Sequence, residues 1–261
     1  MTAYGAVLNG RLDRVENLTL SVTDLGLVRG DGVFEVFQLY DGQPFAMHAH
    51  LDRMERSAAA IELDLDRKAI ESDIVILLES IEPQDGNVRV IATRNGTRLI
   101  LQEGSLTPPE RYRLALVEHR VSPLMAGVKS LSYALNCHAR RVAQSRGYDD
   151  ALLVDLDSGQ ILEGPFTAFA WVEDGQIWTP PLSAGILDSI TRRKLLEATD
   201  AQERRCTRDQ LALATEACVL GTGQELVLVD QIEGFQKFGK APVLSAAREA
   251  LLALIHTQLP S

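Results

Sequence analysis

Cysteine is scarce in this sequence, and what it does contain is badly placed for cross-links. Cys137, Cys206 and Cys218 are odd in number and widely spaced, which argues against a disulfide framework and against a CxxC metal site. No metal is expected. No apolar run approaches the roughly 20 residues of a membrane-spanning helix. The first fifteen residues, MTAYGAVLNGRLDRV, carry charges and no signal-peptide core. These absences point to the cytoplasm and to no membrane partner. No long basic run occurs, and the net charge is −10 with a pI near 5.0, so no nucleic-acid partner is expected. There is no GxGxxG fingerprint, no GxxxxGK[ST] loop, no internal repeat and no low-complexity tract.

What remains is a chain of 261 residues, 46% hydrophobic, enough to bury a sizeable core in one large domain or two modest ones. Strand pairs are marked by Asn-Gly and Asp-Gly turns in AVLNGRL, FQLYDGQPFAM and AWVEDGQIWT, with VDLDSGQILE a looser version. Helical spacing occurs in HLDRMERSAAAIEL, DRKAIESDIVILLESI, LSYALNCHARRVAQSRG, ITRRKLLEATD and PVLSAAREALLALIHTQL. VRVIATR and YRLALVEH read as strands. The pattern breaks at Ser122-Pro123 within HRVSPLMAG. Two α/β domains are therefore expected, 1–120 and 127–261, joined by a linker at 121–126.

Lysine is also rare. Only five of the 26 basic residues are lysine: Lys68, Lys129, Lys194, Lys237 and Lys240. Lys129 lies just past the linker, where an inter-domain cleft would form, and such clefts favour ligands. It reads either as a loop lysine with a packed stem and a wet head, or as a nucleophile toward a carbonyl. Other stretches bear on the choice. LEGPF places Glu163 at the end of a strand. DSITRR starts a helix behind Asp188 and Ser189, whose free N–H groups suit a phosphate. HLDRM places Arg53 on the first turn of a helix, and GTGQE is a small-residue loop after ACVL. A lysine, an isolated acid and a phosphate cradle are what pyridoxal phosphate (PLP) requires. Each also has a plain reading: a strand-end carboxylate, an ordinary helix start, a turn, or a surface ion pair between Arg53 and a neighbouring glutamate.

Taken together, the order and spacing resemble the class IV aminotransferases, the fold-type IV PLP enzymes. RGDGVFEVFQLYDGQPFAMHAHLDRMERSA is similar to the N-terminal signature with its GDGVFE and H-x-x-R. KSLSYAL resembles the lysine motif, GYDDALLVDLDSGQILEG the glutamate segment, and TPPLSAGILDSITRR the phosphate-binding segment. The resemblance implies a small N-terminal and a larger, hairpin-rich C-terminal α/β domain with PLP between them, usually in a homodimer. It implies Lys129 as the Schiff-base lysine, which transfers protons on the cofactor's re face. Glu163 would face the pyridine nitrogen, and Arg53, Ile190, Thr191 and Thr222 would hold the phosphate. The sequence departs from the family at Ala168 and Ser132, where asparagine is common, at Arg29, where an aromatic is usual, and in GTGQELVLV, which lacks a proline.

The resemblance implies transamination between an amino acid and a 2-oxo acid. The alternative is 4-amino-4-deoxychorismate lyase chemistry, which releases pyruvate and p-aminobenzoate. Outside enzymology, a protein of this fold could bind a partner or store cofactor; Lys129 and Glu163 argue against that. Arg94 and Arg98 in TRNGTR are candidates for the substrate carboxylate, or surface arginines; related TRG-x-x-x-R segments are one residue longer. Tyr133 either points at the lysine side of the cofactor or packs in a helix core.

Overall fold

The computed structural model describes residues 3–82, 84–105, 107–235 and 237–259, with only the backbone of Ala3 and Tyr4. It divides into two compact units. One comprises Met1–Leu106, Val128–Tyr133 and Gln258–Ser261; the other comprises Thr107–Gly127 and Ala134–Thr257.

The first unit is built on an antiparallel sheet of β1 (Ala3–Leu8), β2 (Arg11–Asp13), β3 (Gly32–Tyr40), β4 (Gln43–Pro44), β5 (Gly86–Thr93) and β6 (Arg98–Glu103), in the order β2-β1-β6-β5-β3-β4. The short helix α1 (Leu25–Arg29) precedes β3, and α2 (Met47–Ala60) and α3 (Arg67–Ser80) separate β4 from β5. Side chains alternate across a strand. The odd residues Val33, Phe37 and Leu39 of β3 therefore meet Val88 and Val90 of β5, Leu51 and Met54 of α2, and Ile70, Ile74 and Leu77 of α3 in one core. Each such buried side chain contributes about 1.5–3 kcal/mol. Glu35 lies in the same odd series and is drawn onto that face with no exposed surface.

The second unit carries β7 (Tyr112–His119), α4 (Ala134–Ser145), β8 (Asp150–Asp155), β9 (Ala168–Glu173), β10 (Gln176–Thr179), α5 (Ile190–Ala198), β11 (Gln202–Glu203), α6 (Arg208–Leu211), β12 (Glu216–Gly221), β13 (Glu225–Ile232) and α7 (Pro242–Gln258). Its mixed sheet runs β11-β10-β9-β12-β13-β7-β8. Phe169 and Trp171 stack at 6.1 Å within a core that includes Leu114, Val219 and Val229. Ala139 and Ala143 of α4 lie against Ala115, Ala151 and Leu153.

All three Xaa-Gly hairpins form as expected. Asn9-Gly10, Asp41-Gly42 and Asp174-Gly175 have both residues at positive φ, between 48° and 81°, the two-residue turn whose twist matches paired strands. VDLDSGQILE closes by a single bridge, Val154 to Ile161. The units differ from the contiguous division expected from sequence. Strand β7 pairs in parallel with β13 and β8, which ties it to the second unit. Val128–Tyr133 joins the first unit through a bridge from Ser130 to Val33. The turn after Ser122-Pro123 interrupts the periodicity without dividing the units. Among the described residues, no helix is long and apolar enough to cross a membrane.

Candidate active site

In the first unit, the Lys129 backbone is held at both ends of its peptide. Its N–H donates to Ser57 Oγ at 3.1 Å, and its carbonyl accepts from Phe34 N at 3.1 Å. The side chain is half-buried. Nζ stands 4.3 Å from the Phe34 ring centroid and 5.4 Å from that of Tyr133. These two rings meet edge to face at 5.0 Å, so the ammonium rests against aromatic faces that attract a cation. Tyr133 precedes α4, and Ser132 Oγ beside it donates to Gly30 O at 3.2 Å. The ring is therefore placed by Phe34 and not by a helix core.

Arg53 occupies the second turn of α2, not the first. The helix begins at Met47 behind Ala46, whose φ is 51°, so it starts before the H-x-x-R segment. Arg53 is buried, 5% exposed. Its Nε and Nη2 donate to Glu35 Oε1 and Oε2 at 2.6 and 2.7 Å. His50 Nδ1 lies 2.9 Å from Glu35 Oε2. Burial pushes the Glu35 carboxyl up, but the Arg53 charge and the bonds from Arg53 and His50 outweigh it and hold the group well below the usual carboxylate range. Burial lowers His50, leaving the ring neutral. Nδ1 is then the donor to Glu35. The ion pair is thus a buried one with a strand, not a surface pair along the helix. Sequence reasoning misses the roles of Glu35 and His50; the signal is an acid in the otherwise apolar odd series of β3.

Arg94 and Arg98 flank the turn between β5 and β6. Arg94 meets Asp31 through Nε and Nη2 at 3.1 and 3.2 Å, and also donates to the Ile61 carbonyl at 2.7 Å and to that of Glu62. Arg98 Nε donates to Asp73 at 2.9 Å.

In the second unit, Glu163 follows the single bridge at Ile161 instead of ending a strand. Its Oε1 accepts the Leu187 N–H at 2.9 Å, and its carbonyl accepts from Leu153 N at 2.9 Å. Helix α5 begins behind Ser189, whose hydroxyl caps the Arg192 N–H at 3.3 Å. As the first two residues, Ile190 and Thr191 have N–H groups with no intrahelical acceptor. Arg192 is buried and spans Thr179 Oγ1, the Pro180 carbonyl and Glu203, fixing the helix start to the TPP segment. Thr222 lies half-buried in the β12–β13 turn, beside Gln224, which accepts from Tyr112 Oη at 2.9 Å.

Each unit thus carries groups of the kind a phosphorylated aldehyde cofactor uses: the first an amine on aromatic walls, the second a carboxylate oriented by an N–H and a helix start capped by Ser189. The profile of the family described as amino-transferase class IV matches residues 32–232. A putative branched-chain-amino-acid aminotransferase of Methanocaldococcus jannaschii is 31% identical, with 87% of each chain covered. A D-alanine aminotransferase of Bacillus licheniformis is 28% identical over 87% of this chain and 88% of its own. An aminodeoxychorismate lyase of Bacillus subtilis is 28% identical over 87% and 86%. The fold IV transaminase of Curtobacterium pusillum superposes with a TM-score of 0.86 at 27% identity, covering 95% of this chain and 92% of that one.

Proposed function

Because the chain belongs to the class IV aminotransferase family, with its fold-type IV architecture and PLP cofactor, we propose that it moves an amino group between an amino acid and a 2-oxo acid. When bound, PLP supplies an electron sink for the charge left at the substrate's α-carbon. The observation that carries the reading is the fixation of Lys129, whose backbone is tied to Ser57 and Phe34 and whose Nζ lies 4.3 Å from an aromatic centroid. Nζ of Lys129 is the nucleophile that binds the cofactor, and the base that moves the α-proton. Glu163, oriented by Leu187 N–H, pairs with the protonated ring nitrogen. The Ile190 and Thr191 N–H groups, Thr222 and Arg53 bind the phosphate. Tyr133 shapes the lysine side. Arg98 and Arg94 bind substrate carboxylate, each exchanging an aspartate: Arg98 gives up Asp73 and Arg94 gives up Asp31. The protein works as a homodimer in the cytoplasm.

The Bacillus subtilis relative supports a second reading, aminodeoxychorismate lyase activity. PLP-loaded protein is given D- and L-amino acids with 2-oxo acids, and separately aminodeoxychorismate. Formation of a new amino acid is expected. Release of p-aminobenzoate with no amino transfer overturns the first reading in favour of the second.

A further inference from the structure

We infer that Glu35, braced by His50, is a positioning residue that aims Arg53 at the cofactor phosphate; this rests on the phosphate role given to Arg53 above. A guanidinium is a planar fork with two usable edges. Glu35 takes the edge formed by Nε and Nη2, at 2.6 and 2.7 Å. That bidentate grip sets the plane and rotation of the group, and with them the direction in which its other N–H groups point. A free arginine loses rotamer entropy on binding an anion; one already gripped does not. The carboxylate is itself held. It has no exposed surface, and His50, 2% exposed, bonds Oε2 from the same helix.

The arrangement extends to the lysine. His50, Arg53 and Ser57 stand at spacings of three and four on α2, one face of a helix. The first two reach Glu35, and the third reaches the Lys129 N–H. Next to Glu35 on β3, Phe34 supplies both the backbone bond and the ring that hold Lys129. A single helix face and two consecutive strand residues thus fix both the arginine and the lysine.

The test compares affinity for PLP with affinity for pyridoxal, which lacks the phosphate, by titration of the full-length protein. Glu35→Gln keeps the shape and removes the charge; Glu35→Asp keeps the charge and withdraws it by one methylene. Each should lower the preference for PLP over pyridoxal about tenfold, the effect of losing one charge-assisted bond, while pyridoxal binding holds. Should Glu35→Gln fail to fold, Glu35→Asp carries the test, since it leaves the buried charges balanced. Equal weakening of both ligands, alongside a lower melting temperature of the cofactor-free protein, marks a purely structural role and overturns the inference. Arg53→Lys serves as the reference. If it lowers the preference and the Glu35 variants do not, the positioning role fails while the phosphate reading stands. If Arg53→Lys leaves the preference unchanged, the phosphate reading itself fails.

Discussion

At the scale of single residues, Lys129 combines rarity with restraint. Few lysines compete with it, and its backbone and ammonium both have defined neighbours. Lys129→Ala should retain the fold and lose both turnover and the borohydride-stable attachment of PLP, detected by mass spectrometry. A variant turning over at the parent rate removes the assignment. Glu163→Gln should weaken the bond to the ring nitrogen by roughly 1.5–3 kcal/mol and slow α-proton removal by about 10- to 100-fold. A half-reaction at the parent rate would place Glu163 elsewhere. The order of motifs points to Lys129 and Glu163. It does not point to the Glu35–Arg53 pair, which joins positions eighteen apart on a strand and a helix. Only the packing of α2 on the odd face of β3 brings them together.

At the scale of elements, local chemistry was the better guide. Every Xaa-Gly hairpin formed, because positive φ at both turn residues is a local demand that Asn, Asp and Gly meet. Gly175 tests this. Its φ is 79°, and a Cβ there would meet nothing within 4 Å, so Gly175→Ala should cost about 1–2 kcal/mol from backbone strain alone, read by denaturant unfolding. A neutral result would mean the turn relaxes. The start of α5 offers a second test. Ser189→Ala removes the cap on Arg192 N–H and should cost about 1 kcal/mol. Thr191→Val should weaken PLP retention, and Arg53→Lys should weaken it more, because an ammonium cannot reproduce a bidentate grip. Dialysis against phosphate followed by PLP titration ranks them; the reverse order would shift the phosphate toward the helix. The start of α2 lies a turn before the one its sequence suggests, because Ala46, at positive φ, carries no capping side chain to mark it.

At the scale of the whole molecule, partition into units was the least legible feature. Ser122-Pro123 is a local break, whereas membership of β7 and of Val128–Tyr133 is decided by pairing across long sequence separations. Global stability likewise sums distant groups, and two of them in one unit, His50 and Glu35, contribute to its pH dependence at opposite ends of the acid range. His50 is lowered from its ordinary 6.5, first by burial and further by the charges of Arg53 and Lys129, against the opposing pull of Glu35. Glu35 is lowered from 4.5 by its partners despite burial. Both shifts have the same sign in linkage. The unfolded chain takes up a proton that the folded chain refuses, so the stabilisation is full above the unfolded pKa and is lost as pH falls. His119, lowered by burial, adds to the first window. The melting temperature should therefore decline as pH drops below about 6.5, with each refusing group contributing up to about 1.4 kcal/mol per pH unit, and decline more steeply below about 4.5. His50→Gln keeps a donor toward Glu35 and removes one titrating group. It should flatten the limb between those values, leaving the His119 share, and preserve the acid limb, to which Glu35 and the lowered Asp13, Asp24, Asp52, Asp149 and Asp155 all contribute. Melting curves across that range decide it: a variant slope equal to the parent's would show that folding does not lower the affinity of His50 for a proton, and that burial and the Arg53 and Lys129 charges are offset in full by Glu35.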